Sequence, residues 1–359
     1  MSMKEIPHAE RPLVSVILAT LNEARTIESV LRSLIDQDAP NFDLEILVVD
    51  GKSSDGTRAI VTRMAAAEPR IRLLCNERQK TPFAFNLGLS EARGEYVCIL
   101  GAHTVYDKDY ISVCLSELLA QGAVGCGGRV ITQPASDTLE ARLASWVLSH
   151  PFGSSRKSFR TQPEGFADSV NYPVMLKKAL VEVGRYDEEL ARNQDNDMNQ
   201  KLRARGYKLY CTWKTQCLYH PKDTLRGLIQ YAYRNGFWNA MSFRKNPFSL
   251  GVHHLVPFVF LMSAIFSLAL AVAGLWLPQP YHTVLSIPLA LLLGLHVSAG
   301  SVAALQLSRR EKSLATLALP VVFPAFHLAY GFGTLSALVT NAKPPAAAKG
   351  LTAAKAETP

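Results

Sequence analysis

The sequence lacks the features that would assign it at once to several common classes. Neither of its first two strand–turn–helix segments carries a GxGxxG motif, which disfavours a Rossmann oxidoreductase. The six cysteines include no CxxC pair, so we expect buried, reduced thiols. No arginine-rich tract is interleaved with aromatic residues, and we therefore expect no nucleic-acid partner. The polar residues 1–12 contain no apolar core, so no cleaved signal peptide is predicted.

Charge and apolar residues are unevenly distributed along the 359 residues, a length that allows about two domains. Lysine and arginine number 38 against 30 acidic residues, which gives a formal net charge of +8. Such a balance suits anionic lipid and phosphorylated ligands. Hydrophobic residues make up 48% of the chain, and their excess lies mostly beyond residue 250.

The first half of the chain alternates between strand and helix patterns. The clearest example is residues 44–57, LEILVVDGKSSDGT, in which an apolar run ends at Asp50 and Gly51 permits a turn into a helix. Further strands are predicted at 13–20, 71–74, 96–100 and 124–130, with helices at 26–35, 81–92 and 109–121. This order predicts an α/β fold with a mostly parallel sheet and flanking helices. Asp50 then lies either at a ligand-binding strand end or in an ordinary capped turn.

The middle of the chain continues with helices. They are predicted over residues 137–149, 177–183 and 193–205, followed by a strand at 207–210. The polar loop 153–165 is long enough to form a mobile cover over an active site.

The remaining chain is typical of a membrane protein. Residues 223–244 predict a basic amphipathic helix, either at a membrane surface or packed on the globular domain. Apolar segments at 252–277, 283–307 and 314–339 are each long enough to span a bilayer. The positive-inside rule places the basic loop 308–313 in the cytoplasm. Pro320 and Pro324 leave open a re-entrant hairpin in place of the third span.

Five segments, taken in order, carry a family resemblance. They read VSVILATLNE, VVDGKSSDGT, ARGEYVCILGAH, RNQDNDMNQKLRARGY and YHPKDTLRGLIQYAYRNG. The chain resembles the family 2 glycosyltransferases, inverting enzymes of the GT-A fold, and is most similar to the membrane-bound succinoglycan-synthesis (ExoA-like) branch. The resemblance implies a GT-A domain over 1–222, an interfacial helix over 223–248, two to three spans over 249–340 and a disordered tail over 341–359.

The resemblance also implies a set of nucleotide-sugar contacts. It places Thr20, Asn22 and Glu23 in the nucleotide pocket, and Asp50 on the uracil or its ribose. Three further residues are assigned to the nucleotide-sugar site: Ser53, Lys80 and Ala102. Two alternatives stay open: Ser53 caps the next helix, and Lys80 is a solvated lysine that does not meet the diphosphate.

The triplet Gly101-Ala102-His103 stands where the family has Asp-x-Asp or Asp-x-His. His103 therefore takes the position of the metal ligand, and its imidazole suits Mn²⁺ better than Mg²⁺. Gly101 departs from the pattern, with Asp107 and Asp109 as possible substitutes. The alternative is that His103 is a polar residue at a strand end.

Asp195 matches the family's general base, which removes the proton of the acceptor hydroxyl. Gln194 replaces the more usual glutamate beside it and so removes a like charge. Gln194 and Arg203 are assigned to the acceptor or the diphosphate, although pairing of Arg203 with Asp197 is an alternative. The alternative is that Asp195 is the N-cap residue of the helix through Leu202, a role compatible with catalysis.

The resemblance further implies a hexosyltransferase with the following substrates and location. The donor is a UDP-sugar and the acceptor a polyprenyl-diphosphate-linked oligosaccharide in exopolysaccharide or cell-envelope glycan synthesis. The enzyme lies in the inner (plasma) membrane as a multi-pass protein with its catalytic domain in the cytoplasm, and a polysaccharide-assembly complex is a further candidate partner. One alternative is a processive polysaccharide synthase. The other is a non-catalytic nucleotide-sugar-binding scaffold, and Gly101 favours this second alternative.

Overall fold

The computed structural model describes residues 11–101, 104–190, 192–245 and 251–340. Nine strands occur among them: β1 (Leu13–Thr20), β2 (Asp43–Asp50), β3 (Ile71–Cys75), β4 (Tyr96–Gly101), β5 (Thr104–Tyr106), β6 (Gly125–Thr132), β7 (Gly165–Phe166), β8 (Val174–Leu176) and β9 (Leu209–Tyr219). They form one sheet in the order β3-β2-β1-β4-β8-β6-β9-β5, and β7 also pairs with β9. The three shortest strands, β5, β7 and β8, run against the others. The predicted α/β fold with a mostly parallel sheet is confirmed.

Twelve α-helices lie in the same described ranges. They are α1 (Ile27–Ile35), α2 (Thr57–Ala67), α3 (Thr81–Glu91), α4 (Tyr110–Gln121), α5 (Leu139–Ser149), α6 (Pro151–Ser154), α7 (Lys177–Glu182), α8 (Gln194–Ala204), α9 (Leu225–Lys245), α10 (Val256–Gly274), α11 (Tyr281–Glu311) and α12 (Leu319–Val339). Short 3-10 helices precede α10 and α12, at Val252–His254 and Leu314–Ala318.

The central strands are apolar because both faces of the sheet are covered. Val16 and Val48 belong to a buried cluster on the side of α1 and α4. Ile17 and Leu47 point to the opposite face and belong to a second buried cluster with side chains of α3 and α8. Burial of each such side chain stabilises the fold by roughly 1.5–3 kcal/mol. A continuous apolar run, not an alternating one, is therefore the pattern that this sheet requires.

Helix α9 packs tightly on α12. A Cβ atom added at Gly236 would lie 1.9 Å from the carbonyl oxygen of Tyr330, and one added at Gly333 would lie 1.9 Å from that of Tyr233. The two backbones approach this closely only because both positions are glycine. The helix thus packs mainly on α12, which belongs to a candidate membrane span, and less on α5 of the globular domain. Its placement at a membrane surface stays a prediction.

Three segments are long and apolar enough to cross a membrane: Val256–Gly274, Tyr281–Glu311 and Leu314–Val339. The third consists of a 3-10 turn followed by α12, which continues through Pro324 without a break. The re-entrant hairpin that the prolines left open is therefore wrong for this fold. The predicted disordered tail, residues 341–359, lies outside the described residues.

Candidate functional site

The carboxyl ends of the parallel strands meet at one edge of the sheet. In the strand register, Thr20 lies beside Asp50, Asp50 lies beside Cys75, and Ala19 lies beside Gly101. Helices α1, α2 and α3 begin just beyond β1, β2 and β3. This edge is where open α/β sheets bind ligands.

The loops after β1 and β2 are joined to each other by hydrogen bonds. The backbone N–H of Asn22 donates to Ser53 Oγ at 2.9 Å, and that of Ser54 donates to Asn22 Oδ1 at 2.9 Å. The N–H of Ala24 donates to Asp55 Oδ2 at 3.0 Å. Asn22 has a φ of 59°, a left-handed conformation that asparagine tolerates. Asn22 and Ser53 thus use their side chains to fix the loop wall, and their contact with a nucleotide stays a prediction.

Asp50 is fully buried and organises the turn after β2. Its Oδ1 accepts from Ser53 Oγ at 2.5 Å, its Oδ2 accepts from the N–H of Ser53 at 3.1 Å, and Arg58 Nε lies 3.8 Å from Oδ2. Among the residues that line the two described cavities, Gly51 is present and Asp50 is not. Asp50 therefore shapes the turn beside the cavity, and its contact with the base stays a prediction.

A cavity of about 370 Å³, here called the strand-end cavity, opens at this edge. Its lining includes three of the seven residues assigned to the nucleotide-sugar site, Thr20, Glu23 and Lys80. Gln194 and Asp195 line it as well. Lys80 is exposed and lies directly before α3. Glu23 Oε2 accepts from Thr26 Oγ1 at 3.0 Å. The end of β1 and the start of α8 thus line one cavity, and the roles of their side chains stay predictions.

Three buried polar atoms in the lining of the strand-end cavity have no hydrogen-bond partner among the described residues. They are Thr20 Oγ1, Gln194 Oε1 and Asn199 Oδ1. Asn199 uses only its other amide atom, donating to Ser169 Oγ at 2.9 Å and to the carbonyl of Val170 at 3.1 Å. Each unpaired buried group costs roughly 1–3 kcal/mol, which a polar ligand would recover. Sequence reasoning missed Asn199, because its helical position alone gives no sign of what it faces.

Asp195 lies in the first turn of α8, not at the capping position, which Asn193 occupies. Its predicted capping role is therefore wrong: Asp195 Oδ1 accepts from the adjacent N–H of Asn196 at 2.9 Å. Burial raises the pKa of Asp195 above its ordinary value, and the hydrogen bond from Asn196 and the charges of Arg160 and Arg192 offset part of that rise. A raised pKa suits a carboxylate that must accept a proton.

A second and larger cavity of about 1390 Å³ lies between the sheet domain and the apolar helices, and we call it the interhelix cavity. It is lined by the loop after α5, by the start of α8 and by parts of α9 to α12. Gln194 and Asp195 line both cavities. Arg160 and Arg192 also line the interhelix cavity and were not singled out from the sequence.

Arg203 lies at the interhelix cavity but does not pair with Asp197. Its Nη2 forms an ion pair with Asp168 Oδ1 at 2.8 Å, and Asp197 is paired instead with Lys201 Nζ at 2.8 Å. The pairing considered from the sequence is therefore wrong. The assignment of Arg203 to the acceptor or the diphosphate stays a prediction.

The predicted metal position cannot be placed, since Ala102 and His103 lie outside the described residues. Within the described ranges, no group of three or more His, Cys, Asp or Glu side chains could hold a metal ion. Asp109 Oδ1 accepts from Thr215 Oγ1 at 2.7 Å, and neither Asp107 nor Asp109 lines a described cavity. Asp107 and Asp109 alone therefore do not form a metal site.

The comparisons with known proteins agree with this architecture. Succinoglycan biosynthesis protein ExoA of Rhizobium meliloti is 27% identical over 271 residues, 73% of this chain and 81% of that protein. A Methanococcus voltae dolichyl N-acetyl-alpha-D-glucosaminyl phosphate 3-beta-D-2,3-diacetamido-2,3-dideoxy-beta-D-glucuronosyltransferase is 26% identical over 335 residues, 91% of this chain and 97% of its own. Among solved structures, mannosyltransferase PcManGT from Pyrobaculum calidifontis, in complex with GDP-Man and Mn²⁺, has a TM-score of 0.58 at 20% identity and covers 92% of this chain and 88% of that one.

The similarity to the Pyrobaculum calidifontis mannosyltransferase shows a shared fold. Residues 15–184 match the family model described as Glycosyl transferase family 2. That range contains all but the first two residues of β1, the strands β2 to β8, and the ends of β1 to β4 at the ligand-binding edge. The chain belongs to glycosyl transferase family 2 and is a glycosyltransferase of GT-A fold, followed by three candidate membrane helices.

Proposed function

We propose that this enzyme transfers a hexose from a UDP-sugar to a lipid-linked saccharide, with inversion at the anomeric carbon. The observation that carries the proposal is the position of Asp195, which lines both the strand-end cavity and the interhelix cavity. The donor occupies the first cavity and the acceptor enters through the second. Asp195 is then the carboxylate at the place where the two substrates meet.

The chemistry follows from that position. Asp195 accepts the proton of the acceptor hydroxyl as its oxygen attacks the anomeric carbon, and the nucleoside diphosphate leaves from the opposite face. The unpaired atoms Thr20 Oγ1 and Asn199 Oδ1 bind polar groups of the donor. Lys80, exposed at the same cavity, offsets part of the negative charge of the leaving group.

A divalent cation, Mn²⁺ or Mg²⁺, is part of the proposal. The Pyrobaculum calidifontis mannosyltransferase carries Mn²⁺ in its complex with GDP-Man. By sequence position His103 is the residue that would hold the ion here, and the ion would supply positive charge to the leaving diphosphate.

A lipid-linked acceptor and a membrane location are supported by two features. The Methanococcus voltae relative is named for a dolichyl-linked phosphate sugar substrate. In this chain the larger cavity is itself lined by the helices that could cross a membrane. We propose an inner-membrane enzyme with Arg309 and Arg310, at the end of α11, on the cytoplasmic side together with the catalytic domain. Transfer of a single sugar in glycan synthesis is proposed in preference to processive synthesis.

The test uses the full chain in detergent micelles with Mn²⁺. A panel of UDP- and GDP-sugars is incubated with an undecaprenyl-diphosphate-linked monosaccharide, and the lipid product is identified by mass spectrometry and by the NMR coupling at its anomeric proton. We expect one added hexose of inverted configuration with a UDP donor, and no product from Asp195→Asn. Retention of configuration, or undiminished turnover by Asp195→Asn, would contradict the proposal.

A further inference from the structure

We infer that Arg160 and Arg192 form the binding site for the diphosphate of the lipid-linked acceptor, within the interhelix cavity. This inference rests on the proposed function, and it names the residues that would select the acceptor. Arg160 lies outside the five segments that carry the family resemblance, and Arg192 opens one of them but was assigned no role from the sequence.

Arg160 is held in a cage of aromatic rings. Its guanidinium carbon lies 4.2 Å from the ring centre of Phe159, 4.8 Å from that of Tyr219 and 5.8 Å from that of Tyr231. Its Nη2 donates to the Tyr231 hydroxyl at 3.2 Å, and its buried Nε has no partner among the described residues. The rings fix the plane of the guanidinium without neutralising its charge, so donors remain for an anion.

Arg192 supplies the second charge from the segment before α8. It is half-buried, and within the described ranges it makes no ion pair at 4.0 Å or less. Burial lowers the pKa of Arg192, which is the cost of holding this cation away from water. The charges of both arginines lower the pKa of Asp195, although no ion pair joins it to either of them. Two cations beside a single carboxylate leave a net positive charge at this end of the cavity.

The position of the two arginines distinguishes an acceptor diphosphate from a donor diphosphate. Both line the interhelix cavity, and neither lines the strand-end cavity. The lining of the interhelix cavity also includes Phe260 of α10 and Phe326 of α12, which lie on candidate membrane spans. A cavity lined by two arginines and by apolar residues of candidate membrane spans fits a polyprenyl diphosphate, whose head is anionic and whose tail is hydrocarbon.

The loop that carries Arg160 is also fixed to the apolar helices. His327 of α12 lies with Nε2 3.0 Å from the carbonyl oxygen of Phe152, eight positions before Arg160. The Phe152 ring packs edge-on against Phe323 at 4.9 Å between centres. His150 Nε2 lies 3.0 Å from Gln306 Oε1 of α11. These contacts hold the loop in place before any ligand enters, which favours affinity for a matching head group.

The experiment measures binding and not turnover. Full-length protein in detergent micelles with Mn²⁺ is titrated with undecaprenyl diphosphate, with undecaprenol and with UDP, and tryptophan fluorescence reports binding. The variants are Arg160→Gln and Arg192→Gln. The matched control is Arg205→Gln, which removes an arginine paired at the surface with Glu182.

We expect each of the two variants to weaken binding of undecaprenyl diphosphate about 10- to 100-fold, the loss typical of a charged hydrogen-bond partner. Affinity for UDP should change less than about twofold, and Arg205→Gln should bind all three ligands as the wild type does. A parallel loss of UDP and undecaprenyl diphosphate affinity would assign the arginines to the donor and overturn the inference. Unchanged affinity for undecaprenyl diphosphate would overturn it as well.

Wild-type protein provides a second test that does not depend on the folding of a variant. Undecaprenyl diphosphate should raise its thermal unfolding temperature, and undecaprenol at the same concentration should not. Equal stabilisation by both lipids would contradict an anion site. If binding depends on the arginines but no nucleotide-sugar is turned over, the proposed function fails and the diphosphate site stands. If sugar is transferred but binding does not depend on the arginines, only the diphosphate site is rejected.

Discussion

Asn193, the residue immediately before α8, donates from its side-chain Nδ2 to Asn239 Oδ1 of α9 at 2.5 Å. Asn239 in turn donates to the hydroxyl of Tyr330 on α12, and its Nδ2 lies 3.3 Å from His254 Nδ1. Asn193 Oδ1 also accepts from Asn196 Nδ2 at 2.6 Å. This partly buried network connects the turn that carries Asp195 to α9 and to α12, which belongs to a candidate membrane span.

Replacing Asn239 by leucine should therefore impair catalysis more than donor binding. The change leaves Asn193 Nδ2 with only its longer bond to Ser242 Oγ, at a cost of roughly 0.5–1.5 kcal/mol, and loosens the turn that orients Asp195. We expect a lower kcat with little change in the KM for the nucleotide-sugar, measured on the full chain. Ser242→Ala is the control: it removes only the weaker bond from Asn193 at 3.2 Å and should have a smaller effect. Equal effects of the two variants would argue against the network.

Thr20→Val tests whether the unpaired hydroxyl in the strand-end cavity binds the donor. Valine has nearly the same shape, and it removes a buried Oγ1 that has no partner among the described residues. The free energy of unfolding should stay constant or rise by about 1 kcal/mol, while UDP affinity falls by about tenfold. Denaturant titration measures the free energy of unfolding, and calorimetry measures the affinity for UDP.

Ser15→Ala should show the opposite behaviour. Ser15 Oγ donates to Glu45 Oε1 at 2.5 Å and accepts from the N–H of Gly94 at 2.8 Å. Its loss should lower stability and leave UDP affinity unchanged. A Thr20→Val variant that loses stability but not affinity would show that this hydroxyl is structural.

The parts of the fold that could be predicted are those whose energy depends on local pattern. The apolar runs ending at Thr20 and Asp50 identified β1 and β2, because a strand buried on both faces needs an uninterrupted apolar sequence. The strands β5, β7 and β8 have only three, two and three residues, too few for any periodic signal, and they were missed. Their pairing is imposed by the long strand β9 and by β4.

The site was only partly predictable for a related reason. Asp195 was found from a motif, but Arg160 and Asn199 gain their surroundings from residues distant in the chain. The cage around Arg160 includes Tyr219 and Tyr231, 59 and 71 positions later. Arg203 pairs with Asp168 and not with the nearby Asp197, because the tertiary fold brings Asp168 to it. No local spacing rule contains this information.

The rate should depend on pH through Asp195. The carboxylate must be deprotonated to act as a base, so kcat/KM should rise with pH through a pKa above the ordinary aspartate value, because burial raises it. Arg192→Gln removes a positive charge that lowers this pKa and should shift the rising limb to higher pH. The measurement is kcat/KM at saturating Mn²⁺ across pH 4–8, a range chosen from about the ordinary aspartate value upward. A flat profile over this range would contradict the assignment of the base.

Metal removal tests the position of His103. Chelation with EDTA should abolish transfer, and added Mn²⁺ should restore it more fully than Mg²⁺, because an imidazole ligand suits Mn²⁺ better. His103→Ala should raise the Mn²⁺ concentration for half-maximal activity by at least about tenfold. Titration of Mn²⁺ into the chelated enzyme measures this. An unchanged titration curve for His103→Ala would show that other residues hold the metal.

The contact between α9 and α12 should be intolerant of any side chain at Gly236. Even the methyl group of alanine would meet the carbonyl oxygen of Tyr330 at 1.9 Å, so the two backbones would have to separate. Gly236→Ala should therefore destabilise the protein by about 1–3 kcal/mol, and it should also reduce turnover because Asn239 lies one turn further along α9. The control is Gly294→Ala in α11, whose added Cβ would meet nothing within 4 Å. Thermal unfolding followed by circular dichroism, together with the transfer assay, compares the two variants, and equal stability would contradict the close approach of α9 and α12.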